Sequence, residues 1–236
     1  MTIVFLLVMV FLAVRNSHFG SPLEWAMNEL LLVPGILVGL SFHEYGHAAA
    51  ADRLGDPTPR NQGRLSINPA AHIDPIGLLT LLFIGFGWGK PVEINPRNFK
   101  HPRRDDLLVS VAGVAMNLLM AVVFTVVVRL YSAATGAVPA MSGAANIVYL
   151  IFFYVVEINL VLMIFNLLPI PPLDGFNLLT EIFNLRRYGW WYQLYEKGFL
   201  ILLILIVFNF TDAVLTPCIN FFLRLLAGLG GWGMYL

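Results

Sequence analysis

Charge is what this sequence has least of. Asp, Glu, Lys and Arg make up 12% of its 236 residues, against about 25% in soluble domains. The 14 basic and 14 acidic residues cancel, so there is no bulk field to draw a nucleic acid, and none is expected as a partner. Cysteine is almost absent: Cys218 stands alone, so no internal disulfide can form and no redox compartment can be read. Long polar stretches are also missing. The longest, 52–75 and 89–106, are too short to fold separately and read as loops. No internal repeat or low-complexity tract is evident. What fills the chain is apolar: 58% of residues are hydrophobic and the mean hydropathy is +0.78. That is more apolar surface than one soluble core needs, and it points to lipid as the solvent. A soluble enzyme, a disordered chain and a coiled coil are excluded.

The apolar runs lay out membrane spans of about 20 residues each. Residues 1–14 have no Lys or Arg ahead of them and no clear cleavage site, so they read as a short retained span rather than a signal peptide. Residues 30–51 form a second. Residues 107–128, without a single acidic or basic residue, form a third, and 146–169, interrupted by Glu157, a fourth. Residues 198–211 begin a fifth, which 213–230 either continues or follows as a sixth. Trp190, Trp191, Tyr192 and Tyr195 precede it, where an interfacial aromatic belt belongs. The expected fold is therefore all-α and polytopic, with five to six transmembrane helices in one integral membrane domain over 1–236, its core roughly 30–185.

The run Ile76–Gly89 is too short to span and holds four glycines, so it reads as a re-entrant, β-like segment. Charge supports this. Arg53, Arg60 and Arg64 precede it; Lys90, Arg97, Lys100, Arg103 and Arg104 follow it. Basic short loops face the cytoplasm, so a hairpin returning to its own side keeps both clusters inside. The uncharged loop 132–145 then lies outside, and Arg186, Arg187 and Lys197 lie inside.

One motif carries chemistry. His43-Glu44-Tyr45-Gly46-His47 is an H-E-x-x-H pattern. On a helix, residues four apart share a face, so two imidazoles can bind one Zn²⁺ while the glutamate takes a proton from a water activated there. The pattern lies inside an apolar run, where ionisable side chains are costly and functional by default. A catalytic zinc takes three protein ligands, so a third must come from elsewhere: Glu157, Asp174, Glu181, His72 and His101 are the candidates. Depth selects among them. His47 is five residues before Asp52, which puts the site roughly 8–14 Å below the cytoplasmic surface at about 1.5 Å per residue. The fourth span returns to that side and depth at Asn166–Gly175, which makes Asp174 the natural ligand.

HEYGH at 43–47 together with NLLPIPPLDG at 166–175 resembles the site-2 protease family of intramembrane zinc metalloproteases, whose pattern is H-E-x-x-H on one transmembrane helix and N-x-x-P-x-x-x-L-D-G on a later one. Asn68–Pro75, Gly87–Val92 and Asn95–Phe99 look like its compact prokaryotic branch, and the resemblance covers roughly residues 36–185. It implies zinc held by His43, His47 and Asp174, with Glu44 as catalytic base and Asn166 on the substrate backbone. The third span carries Gly113 and Asn117 of the family's G-P-x-x-N, with Val114 where the pattern has proline, which makes Asn117 a second substrate-binding candidate. Larger relatives carry PDZ or CBS domains, for which this chain has no room. The implied activity is hydrolysis of peptide bonds of transmembrane protein substrates within or beside the bilayer of a prokaryotic inner membrane, near its cytoplasmic side. The segment 76–95 could hold such a substrate extended. A metal transporter or metal-binding membrane protein without catalysis is the rival reading. Glu44 separates the two, because a transport site needs no base between its ligands. Neither substrate identity nor oligomeric state is encoded in any motif.

Overall fold

The computed structural model describes residues 21–84 and 87–230, and every named element among them is helical. In chain order these are α1 (Pro22–Leu54), α2 (Thr58–Asn61), α3 (Pro69–His72), α4 (Pro75–Ile84), α5 (Pro102–Thr135), α6 (Ala144–Asn166), α7 (Asp174–Phe183), α8 (Gly189–Glu196), α9 (Gly198–Val207) and α10 (Phe210–Gly230), with 3₁₀ turns at Pro96–Asn98 and Leu185–Arg187. Three described helices, α1, α5 and α6, are long and apolar enough to cross a membrane. The expected span at 1–14 lies outside the described residues. The region expected to hold a fifth span, with or without a sixth, divides at Asn209, whose φ of 57° breaks the chain between α9 and α10.

Local chemistry sets the ends of the spans. The Ser21 side chain caps α1 by accepting from Glu24 N, Pro22 opens it, and Gly55 closes it in the left-handed region at φ 107°. Pro102 opens α5 and Gly136 closes it at φ 69°. Asp105 caps the start of α5 in reverse, its Oδ2 accepting from His101 N at 3.0 Å. The fourth span is shorter than its apolar run: α6 ends at Asn166, because Pro169, Pro171 and Pro172 cannot continue a helix.

The three long helices pack as one unit. Gly46 of α1 abuts the Ala112 carbonyl of α5, and Asn117 reaches Gly39, so α1 and α5 run antiparallel. Gly35 faces Tyr154 and Gly39 faces Leu162, so α1 and α6 run parallel. A Cβ at Gly35 would sit 2.8 Å from the Tyr154 carbonyl oxygen; the small residue is what lets the backbones approach. Val114, Ala121 and Val128 of α5 meet Tyr149, Val156 and Leu160 of α6 in the main core, which α10 extends through Leu223 and Leu226.

Between α1 and α5 the chain makes an excursion. The β-like expectation for it reduces, among the described residues, to one isolated antiparallel bridge, Ile73–Gly89. Most of the run is helical instead. Asp74 Oδ1 accepts from Ile76 N and Gly77 N, capping α4, and Pro75 supplies its first residue. His72 is wholly buried and bonds Ser66 O through Nε2 at 2.6 Å, so it braces this excursion and is not among the converging metal-ligand groups.

Candidate metal centre

His43 and His47 lie one turn apart on α1, and Asp174 is the first residue of α7. The Pro-rich turn after α6 lets α7 start beneath α1. His43 Nε2 and His47 Nε2 are 3.0 Å apart, and each is 3.3 Å from Asp174 Oδ2. A tetrahedral zinc with bonds of about 2.0–2.1 Å has its ligand atoms about 3.3–3.4 Å apart, so this triangle has the right size. Both histidines are buried, and the Asp174 Oδ2 atom is buried without a hydrogen-bond partner.

The other ring nitrogens decide what faces the centre. His47 Nδ1 bonds Val109 O at 2.8 Å, and His43 Nδ1 bonds Asn117 Oδ1 at 2.7 Å. Both partners are acceptors, so both Nδ1 atoms carry hydrogen and both Nε2 atoms present lone pairs. Two lone pairs and a carboxylate oxygen then face one another in a buried space. A proton could join only one pair of them. A divalent cation satisfies all three, and the donor set of two imidazoles and a carboxylate suits zinc. Gly113 of α5 makes the room: a Cβ there would lie 2.8 Å from His43 Cε1 and closer still to His47 Nε2.

The centre opens into a cavity of about 820 Å³ lined by Glu44, Asn166 and Asn177 and by apolar Leu40, Leu162 and Phe199. Glu44 Oε2 accepts from Val92 N at 2.9 Å, so the loop after α4 reaches the carboxylate beside the histidines. Asn166 lines the cavity with its Nδ2 donating to Leu162 O at 2.9 Å. Asn117 is placed differently. Its side chain is 0% exposed and its amide is spent on His43, Gly39 O and Asn159. Of the other third-ligand candidates, Glu181 pairs with Arg186 at 2.8 Å, away from the triangle. Burial pushes its carboxyl pKa up, and Arg186 and Arg103 pull against that.

Sequence reasoning missed several supports of this site. Asp106 and Arg186, paired at 3.0 Å, line the cavity rim. Asp56, wholly buried, receives Asn95 N at 2.8 Å and Asn98 Nδ2 at 2.7 Å, which pins the loop that carries Val92. The signal for Gly113 and Asn117 was present as a G-x-x-x-N spacing, four residues apart on one face.

Comparison with known proteins agrees with this geometry. Residues 132–208 match the model of peptidase family M50. The chain is 37% identical over 190 residues to "Putative zinc metalloprotease YwhC" of Bacillus subtilis (strain 168), covering 80% of this chain and 85% of that one. The chain belongs to peptidase family M50. Two further relatives carry the name "Putative zinc metalloprotease Rip2". The Mycolicibacterium smegmatis protein is 30% identical over 203 residues, covering 84% of this chain and 72% of its own. The Mycobacterium tuberculosis (H37Rv) protein is 34% identical over 161 residues, covering 66% and 58%. No solved structure matches. M50 membership and the apolar helices make the chain a membrane-embedded zinc metalloprotease, and His43, His47 and Asp174 are positioned to hold its metal.

Proposed function

We propose that this single domain hydrolyses peptide bonds of transmembrane protein substrates at a cavity reached from the cytoplasmic side of a prokaryotic inner membrane. The observation that carries the reading is the buried triangle of His43, His47 and Asp174 with Glu44 beside it on the cavity wall. Bound zinc would supply Lewis-acid activation of a water and of the scissile carbonyl.

The chain's own residues do the rest. Glu44 takes the water's proton and later delivers it to the leaving amine nitrogen. Val92 N–H steadies that carboxylate by donating to Oε2, which leaves Oε1 for the proton. Asn166 has its amino group engaged by Leu162 O, which leaves its Oδ1 to accept from a backbone N–H of an unwound substrate. Asn117 has no exposed surface to offer a substrate; its role is to orient His43. The apolar lining of the cavity suits a membrane segment, and a transport role would give Glu44 nothing to do.

The re-entrant reading of 76–89 gains support from Asp56. It ties Asn95 and Asn98 to the end of α1, so the two flanks of the excursion meet at one face. Further spans at 1–14 and at 198–230 complete a five- or six-helix topology.

The deciding experiment compares membrane fragments, by proteomics, from cells carrying the unaltered chain and cells carrying Glu44→Gln. Substrate fragments cut within or beside a transmembrane segment should appear only with the unaltered chain. Identical fragment sets would overturn the proposal.

A further inference from the structure

We propose that Asn159 is a positioning residue of the metal centre, acting through Asn117 to fix which nitrogen of His43 carries hydrogen. The inference rests on the reading that His43 is a zinc ligand, and goes beyond it by adding a residue that touches neither metal nor cavity.

Asn159 lies on α6 with 0% exposure. Its Nδ2 donates to Val155 O at 2.8 Å. A backbone carbonyl only accepts, so the amino group is held there and Oδ1 is turned toward α5. That oxygen receives Asn117 Nδ2 at 3.0 Å. The same Asn117 amino group donates to Gly39 O, also at 3.0 Å. With its amino group held by two acceptors, Asn117 can turn only Oδ1 to His43 Nδ1. His43 must then carry hydrogen on Nδ1 and present the Nε2 lone pair to Asp174 and His47.

The second acceptor matters because of the alternative it removes. With Gly39 O alone, a flip of the Asn117 amide would cost one hydrogen bond. It would allow the other His43 tautomer, with Nε2 protonated and unable to ligate. With Asn159 in place, the flip sets an amide oxygen against two oxygens in a dry interior, where unpaired polar groups are costly. The polarity thus begins at a backbone carbonyl of α6 and ends at a ligand on α1. Had Asn159 only joined two helices, either orientation of its amide would serve, and the centre would be indifferent to it.

The test measures zinc affinity of the purified full chain by chelator competition, with the absorption spectrum of the Co²⁺-loaded chain as a second readout. Outer partners of metal-bound histidines are typically worth about 10–100-fold in metal affinity. Asn117→Leu should lose about that much, and Asn159→Leu a smaller part, about threefold or more. The double variant should bind zinc no more weakly than Asn117→Leu alone, since the path runs through Asn117. Asn159→Asp, kept neutral by its apolar setting, can donate to Val155 O and accept from Asn117, so affinity and Co²⁺ spectrum should return to those of the unaltered chain. If Asn159→Leu does not insert, Asn159→Thr replaces it; its hydroxyl can bond Val155 O but stops short of Asn117. Unchanged zinc affinity on removing the Asn159 carbonyl, or a loss that adds in full to that of Asn117→Leu, would overturn the proposal. Absence of zinc from the unaltered chain would instead sink the metal-centre reading beneath it.

Discussion

Glu44 and Gly113 bracket what single residues contribute here. Glu44 is on the cavity wall beside the ligands but outside the triangle, so Glu44→Gln should keep full zinc content while losing activity. A positioned general base is typically worth about 10²–10⁴-fold in rate, and cleavage of a reconstituted membrane substrate reads that loss. Gly113 contributes by lacking a side chain. Gly113→Ala would place a methyl group against both metal histidines, so zinc content should fall even though alanine is the better helix former. Metal analysis of the purified variant beside Glu44→Gln separates a lost base from a lost ligand geometry. The convergence of His43, His47 and Asp174 was legible in the sequence: two histidines four apart share a helix face, and depth together with the later L-D-G motif singled out Asp174. The contacts of Asn117 were not, because a buried amide bonded to a ligand and one bonded to a substrate look alike until the neighbouring helix is in place.

Among the elements, the long helices were legible and the excursion between them was not. Long, mostly apolar runs bounded by Pro and Gly announce α1, α5 and α6, though α1 and α5 run several residues past their apolar stretches at both ends while α6 stops short of its prolines. The segment after Asp74 carries the same composition whether it forms strand or helix, and the cap at Asp74 decides for helix. Asp56 is the anchor of this region. Burial raises its carboxyl pKa, but bonds from Thr58, Asn95 and Asn98 outweigh that and hold it below the ordinary value. A carboxyl lowered in the folded state stabilises above its unfolded pKa of about 3.9, and that contribution disappears as pH falls through the lowered value. Asp56→Asn turns an amino group toward these donors, leaving buried groups unpaired, and should cost about 1–3 kcal/mol near neutrality. The difference between the two chains in detergent unfolding should hold down to about pH 4 and narrow below it. A constant difference across that range would remove the charge of Asp56 from the account.

At the scale of the whole molecule, orientation follows from where the basic residues gather. Arg53, Arg60, Arg64, Lys90, Arg97, Lys100, Arg103, Arg104, Arg186, Arg187 and Lys197 are eleven of the fourteen Lys and Arg residues. They close or follow α1, precede or open α5, or lie between α7 and α9. Because α1 runs parallel to α6 and antiparallel to α5, those three positions belong to one end of the bundle, and the metal centre lies about seven residues, or roughly 10 Å, from it along α1. The loop after Thr135 at the opposite end carries no charge through residue 145. Such asymmetry favours the charged end in the cytoplasm, the orientation proposed above, and the Asp56 bonds bring the flanks of 76–89 together at that end. Single cysteines replacing Gln62, Lys100 and Ser142, in a Cys218→Ser background, can be labelled with an impermeant thiol reagent in intact cells and in inverted vesicles. All three positions are exposed. Positions 62 and 100 should label only in inverted vesicles, and 142 only in intact cells. Labelling of 62 and 100 from opposite sides would mean that the excursion crosses the membrane, and would overturn the re-entrant proposal that the bonds from Asn95 and Asn98 to Asp56 support. Labelling of all three in the reverse sense would keep the fold but move the catalytic cavity to the outer face, and with it the pool of substrates the protease can reach.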